Sequence, residues 1–119
     1  MITFHLVPRD VWEAQRANDV YVPEAFAADG FVHCTDGEAA VIDTANRYYQ
    51  GDARAYVVLS IETDALSAPV RYEDPARMFP HVYGHIEKSA VTAVRAVERG
   101  ADGRFLRVSS ATHGPPVDR

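Results

Sequence analysis

The chain has a single cysteine, Cys34, in 119 residues, so no disulfide can form within it. A lone thiol fits a reducing compartment, and the cytoplasm is the expected location. Long apolar runs are also missing: none approaches the roughly 18 to 20 residues that a membrane-spanning helix needs. The segment Met1 to Leu6 has no basic stretch followed by a long apolar region, so neither a secretory leader nor a membrane partner is expected. Positive charge is sparse and scattered, with 12 Lys and Arg against 17 Asp and Glu for a net charge of −5. Arg47, Arg54, Arg71, Arg77, Lys88, Arg95 and Arg99 form no run, which argues against duplex nucleic acid as a partner. A phosphate pocket needs only one or two arginines and stays open.

What is present describes an ordinary folded chain, 47% hydrophobic and 24% charged. Its length suits one domain with one core. Ile2 to Leu6 reads as a strand, with Phe4 and Leu6 on one face and Thr3 and His5 on the other. Pro8 opens a helix to about Ala17, in which Trp12 is a core anchor. Pro23 to Asp29 is a second short helix closed by Gly30. Phe31 to Cys34 is a short strand. Thr35 to Glu38 has the form of a capping box, and the helix it starts runs to about Tyr49.

Tyr56 to Ile61 is a continuous apolar run and reads as a central strand. Val70 to Glu73, His81 to Gly84, Val91 to Glu98 and Phe105 to Val108 complete the strands, with a turn over Ala101 to Arg104. Helices therefore gather in the N-terminal half and strands in the C-terminal half, the order of an α+β fold. Residues 1–108 form one α+β domain on this reading, and residues 109–119, with Gly114-Pro115-Pro116, read as a disordered tail.

Chemistry-bearing side chains fall at strand positions in four places: His5, His33 to Thr35, Arg71 with Glu73, and His81 with Tyr83. On the strand Phe31 to Cys34, Phe31 and His33 face one way while Val32 and Cys34 face the other. His33 precedes a helix N-terminus, where free N–H groups favour an anion, and Thr35 is placed to cap the helix or turn its hydroxyl to a ligand. The plain alternative is a histidine that holds the strand end to a neighbouring carbonyl. Arg71 and Glu73 emerge from one strand face, a spacing suited to a guanidinium that clamps phosphate beside a carboxylate that orients a hydroxyl. The alternative there is a solvated cross-strand pair. His81 and Tyr83 again share a face. His81 and His85 stand about 13 Å apart in an extended chain, too far to share a metal, so no metal site is assigned. Cys34 shares the Val32 face and reads as a small core residue.

The strings Tyr21-Val22-Pro23, Gly30-Phe31-Val32-His33-Cys34-Thr35, Val70-Arg71-Tyr72-Glu73 and Phe79-Pro80-His81-Val82-Tyr83-Gly84, after an N-terminal strand with a histidine and a helix with a Trp, resemble the bacterial domain of unknown function family 952. The resemblance spans residues 2–106. It implies an ADP-ribosyltransferase-like fold, with two small, mostly antiparallel sheets forming a cleft that in relatives holds NAD. It further implies His33 and Glu73 as the catalytic pair, His33 and Thr35 matching the H-G-[ST]-like motif with Cys34 in the glycine position. His5, Thr35, Arg71, His81 and Tyr83 are then the ligand-binding set, and NAD or another phosphorylated, nucleotide-like small molecule is the implied substrate. A non-catalytic module binding a small anion, metabolite or protein partner is the other expectation.

Overall fold

The computed structural model describes residues 1–112. The central strand β4 (Tyr56–Glu62) sets the frame, because every residue from Tyr56 to Ile61 is buried. A strand can be apolar on both faces only if both are covered. Here Val57, Leu59 and Ile61 point into one hydrophobic cluster with Val7, Trp12, Tyr21, Val32, Val82 and Ile86. Tyr56 and Val58 point into a second with Val41, Ala45, Val97, Phe105 and Val108. β1 (Ile2–Pro8), β4, β8 (Val91–Arg99) and β9 (Phe105–Thr112) form an antiparallel four-stranded sheet in the order β1-β4-β8-β9.

A second sheet joins β3 (Val32–His33), β6 (Pro80–Val82) and β5 (Val70–Tyr72), in that order. A third pairs β2 (Val20–Tyr21) with β7 (Ile86–Glu87). The expectation of two sheets is thus corrected to three, the extra one built from two-residue strands too short to carry an alternation pattern. The larger sheets are bridged where Phe4 and Thr35 exchange backbone hydrogen bonds of 2.9 and 2.8 Å. The fold is mixed α and β, mostly open sheet with few helices.

Those helices are α1 (Arg9–Ala14), α2 (Phe26–Asp29) and α3 (Glu38–Tyr48), with 3-10 turns at Thr63–Ala65 and Lys88–Ala90. α1 stops three residues short of Ala17. Its following residue Gln15 instead uses its amide to bond the backbone of Val22, donating to the carbonyl at 2.8 Å and accepting from the N–H at 2.9 Å. α2 ends on Gly30 in the left-handed conformation, as its position suggested. The capping box is not formed. Gly37, at φ 103°, is the N-cap of α3, and no side chain caps it. Thr35 is pulled into the sheet junction instead, so long-range pairing with Phe4 overrides the local cap. The last strand continues four residues past Val108, to Thr112. The remainder of the expected tail, residues 113–119, lies outside the described residues. No helix among the described residues is long and apolar enough to cross a membrane.

Candidate functional site

The register of the three-stranded sheet sorts its side chains into two rows. Val32, Val82 and Val70 align, with Val32 and Val82 fully buried and Val70 packed against the core. His33, His81 and Arg71 align in the next row. Side chains alternate faces along a strand, so this polar row stands on the outer face. Adjacent to it, the ring of Phe31 stacks on His81 with centroids 4.0 Å apart and planes 17° from parallel. Phe31 also meets His33 at 4.7 Å and Tyr83 at 5.3 Å, and the two histidine rings meet edge-on at 5.5 Å.

Each of these histidines holds a carboxylate. His33 Nε2 lies 2.9 Å from Asp29 Oδ2, and His81 Nδ1 lies 2.9 Å from Glu73 Oε1. An ionised carboxylate only accepts, so the shared hydrogen sits on the imidazole in both pairs. That leaves Nδ1 of His33 and Nε2 of His81 as the remaining ring nitrogens. The Tyr83 hydroxyl donates to the same Glu73 oxygen. This bond first, and His81 second, hold the Glu73 carboxyl below its ordinary range, while the carboxylate raises the Tyr83 phenol. The guanidinium of Arg71 lies 5.3 Å from the Tyr83 ring centre. His33 is 58% exposed at its side chain and His81 22%, so His33 is open to solvent and His81 is half-buried under Phe31.

His5 is different in kind. It is 6% exposed, with Nδ1 2.6 Å from the His33 carbonyl and Nε2 2.8 Å from the Tyr21 hydroxyl. A carbonyl only accepts, so Nδ1 carries the hydrogen and Nε2 accepts from Tyr21. Burial lowers the His5 pKa to about 4, partly offset by the bond to His33. Burial likewise raises the Tyr21 phenol. His5 is therefore a neutral structural link between β1, β2 and β3.

Beyond the Phe4–Thr35 junction, β1 and β3 diverge around the His5 ring, and a cleft of about 180 Å³ opens between them. Its lining includes Leu6, Val7 and Pro8 from β1 and Phe31, His33 and Thr35 from in and around β3. Tyr21, Tyr49 and Tyr56 contribute aromatic walls, and Glu24, Asp52 and Arg54 a polar end. Arg54 bonds both carboxylates, and Tyr56 donates to Asp52 at 2.7 Å.

The expected site residues therefore fall into two groups. His5, His33 and Thr35 line the cleft, whereas Arg71, Glu73, His81 and Tyr83 are not among its lining residues. Phe31 and His33 belong to both, since they line the cleft and touch His81. Thr35 is 6% exposed and its backbone is committed to Phe4. Cys34 is 2% exposed, and burial pushes its thiol up to about 12, as a small core residue requires. Sequence reasoning did not single out Phe31, although it shares the His33 face. Asp29 was missed as well, since an acidic residue at the end of a short helix looks like any solvated charge. No group of three His, Cys, Asp or Glu arranged for a metal occurs among the described residues.

The sequence profile described as "Protein of unknown function (DUF952)" matches residues 6–94, so the chain belongs to that family. No curated protein matches it. Among solved structures it is similar to protein CC0527 from Caulobacter crescentus. The crystal structure of that protein is 27% identical, with TM-score 0.76 over 89% of this chain and 94% of the other. The crystal structure of a double mutant of the same protein gives 26% identity and TM-score 0.75 over the same shares. The solution structure gives 27% identity and TM-score 0.68, over 86% and 89%.

Proposed function

We propose that this member of the DUF952 family binds a phosphorylated, nucleotide-like small molecule at the mouth of the β1–β3 cleft and transfers a group from it. The observation that carries this reading is the double position of His33. It lines the cleft and stands edge-on to His81, with Asp29 behind it and Glu73 behind its neighbour. Two imidazoles, each oriented by a carboxylate, are the parts that general acid–base or electrostatic catalysis needs. In this reading His33 orients the ligand, and Glu73 steers the attacking group or stabilises positive charge on the sugar being transferred as the nicotinamide leaves. Arg71 meets phosphate, and Phe31 and Tyr83 offer ring faces. Thr35 and His5 hold the cleft's inner end. NAD is the first ligand to test, because the motif strings resemble those of proteins with an ADP-ribosyltransferase-like fold. The buried free thiol favours a cytoplasmic setting.

A second reading is favoured by one feature. Glu73, His81 and Tyr83 bond to one another and do not line the cleft, an arrangement also suited to a binding module without chemistry. Calorimetric titration with NAD, ADP-ribose and nicotinamide, followed by product analysis, separates the two. Saturable binding with turnover that His33→Ala and Glu73→Gln abolish supports the enzyme. Binding without turnover supports the module, and no binding at millimolar ligand defeats the nucleotide-dependent enzyme.

A further inference from the structure

Arg54 is the one Lys or Arg among the described residues that line the cleft, and its guanidinium is fixed along one edge. Asp52 accepts there from Nε at 3.1 Å through each oxygen, and from Nη2 at 2.8 Å through Oδ2. The Arg54 backbone N–H donates to Oδ1 at 3.0 Å and the Tyr56 hydroxyl to Oδ2 at 2.7 Å, so the carboxylate itself is held. The chain beneath is fixed by Arg99, which donates to the carbonyls of Gln50, Asp52 and Arg54 at 3.2, 2.6 and 2.7 Å.

The opposite end of the guanidinium has a poorer occupant. Glu24, just ahead of α2, meets it through Nη1 alone, with both carboxylate oxygens at 3.2 Å. A close charge-assisted bond is shorter, roughly 2.7 to 2.9 Å. The Glu24 side chain is 56% exposed against 25% for Asp52, and exposed pairs of this kind hold weakly. Arg99 bonds only carbonyl oxygens among the described residues. With Glu24 swung aside, two guanidiniums therefore stand against the single Asp52 carboxylate. Thr44 and Tyr49 line the same cleft, and neither hydroxyl bonds another described residue.

We infer that Arg54 is a subsite for the terminal phosphate of a small molecule, and that Glu24 is the tethered carboxylate that occupies it when no ligand is bound. A free carboxylate matches the charge of Glu24 without its tether, so it loses that competition. A phosphate monoester brings roughly 1.5 to 2 negative charges and three acceptor oxygens, enough for the guanidinium fork and a cleft hydroxyl together. Arg71 stands in the outer row, outside the cleft lining, and does not supply this contact. The inference rests on the cleft being the ligand site and places the ligand's phosphate within it.

Inorganic phosphate is the minimal probe, titrated at neutral pH and constant ionic strength into the 15N-labelled full chain and followed by NMR. The Arg54 Nε–H is expected to shift, whereas acetate at the same concentration leaves it in place. Glu24→Gln, at an exposed side chain, is expected to tighten phosphate at least about threefold by removing the competing charge. Arg54→Lys keeps the charge without the fork, and is expected to weaken phosphate at least about tenfold. Unchanged or weaker phosphate binding in Glu24→Gln, or shifts confined to the Arg71–His81 row, would overturn the inference, and neither result depends on how Arg54→Lys folds. NAD or ADP-ribose binding without a phosphate response at Arg54 sinks the subsite alone. A phosphate response at Arg54 without NAD or ADP-ribose binding sinks the nucleotide reading alone.

Discussion

His5 and the pair His33 with His81 lie on one connected sheet system, yet they put the same side chain to opposite uses. His5 is buried, neutral and bonded at both ring nitrogens. His33 is exposed and His81 half-buried, and each is bonded through one nitrogen to a carboxylate. The difference comes from strand parity. His5 points into the core that holds Trp12 and Tyr21, whereas the row containing His33 and His81 is one residue out of phase with the buried Val32 and Val82. A buried imidazole must have both nitrogens satisfied, which ties it to structure. An exposed one can leave a nitrogen for a ligand.

The contrast predicts a steep order of effects. His5→Ala should cost the most, about 4 kcal/mol, from the cavity left and from the stranded Tyr21 hydroxyl. Urea denaturation measures it, and a loss below about 1 kcal/mol, typical of surface sites, would mean the link is not structural.

Next comes pH. The His5 pKa is lowered to about 4 in the fold from 6.5, so the unfolded chain binds the extra proton between these values. Stability from this group is fully present above pH 6.5 and is lost as pH falls towards 4, by roughly 3 kcal/mol in all. Glu73 and Asp74 are held below their ordinary 4.5 and 3.8, so their contributions fade only at lower pH. Stability should therefore fall from pH 6.5 to 4.5 in the unmodified chain, and a flat curve across that window would remove the burial argument.

Tyr21→Phe should cost about 1 to 3 kcal/mol, because it leaves His5 Nε2 without its donor while the ring stays packed. A cost this size that disappears in a His5→Phe background would confirm that the two act as one unit. Smallest of all, His33→Ala and His81→Ala should each change stability by less than about 1 kcal/mol, the range of exposed ion pairs. Thermal denaturation of both variants checks this, and a large loss in either would turn the outer row into scaffolding.

Much of this arrangement was legible in the sequence where local rules and tertiary demands agree. The unbroken apolar run of β4 announced a strand covered on both faces, and Gly30 announced the end of α2. The alternation Phe31, His33 against Val32, Cys34 placed the outer row and the core row correctly. Reading failed where distant partners decide. β2 and β7 are two residues each and exist because they pair with one another across the chain. Thr35 carries a local capping signal, but its backbone is claimed by Phe4, so Gly37 takes the cap. The cleft itself was not visible, because it is the space left when β1 and β3 part around His5.

On the proposed function, His33 and His81 serve a ligand while His5 serves the fold. Calorimetric titration of ADP-ribose and NAD into the unmodified chain and into folded His33→Ala tests it most directly. Saturable binding is expected at or below millimolar ligand, weakened at least about tenfold by the substitution, the loss of one contact to a charged or polar ligand group. Absence of binding to the unmodified chain, or equal affinity for the variant, would contradict it.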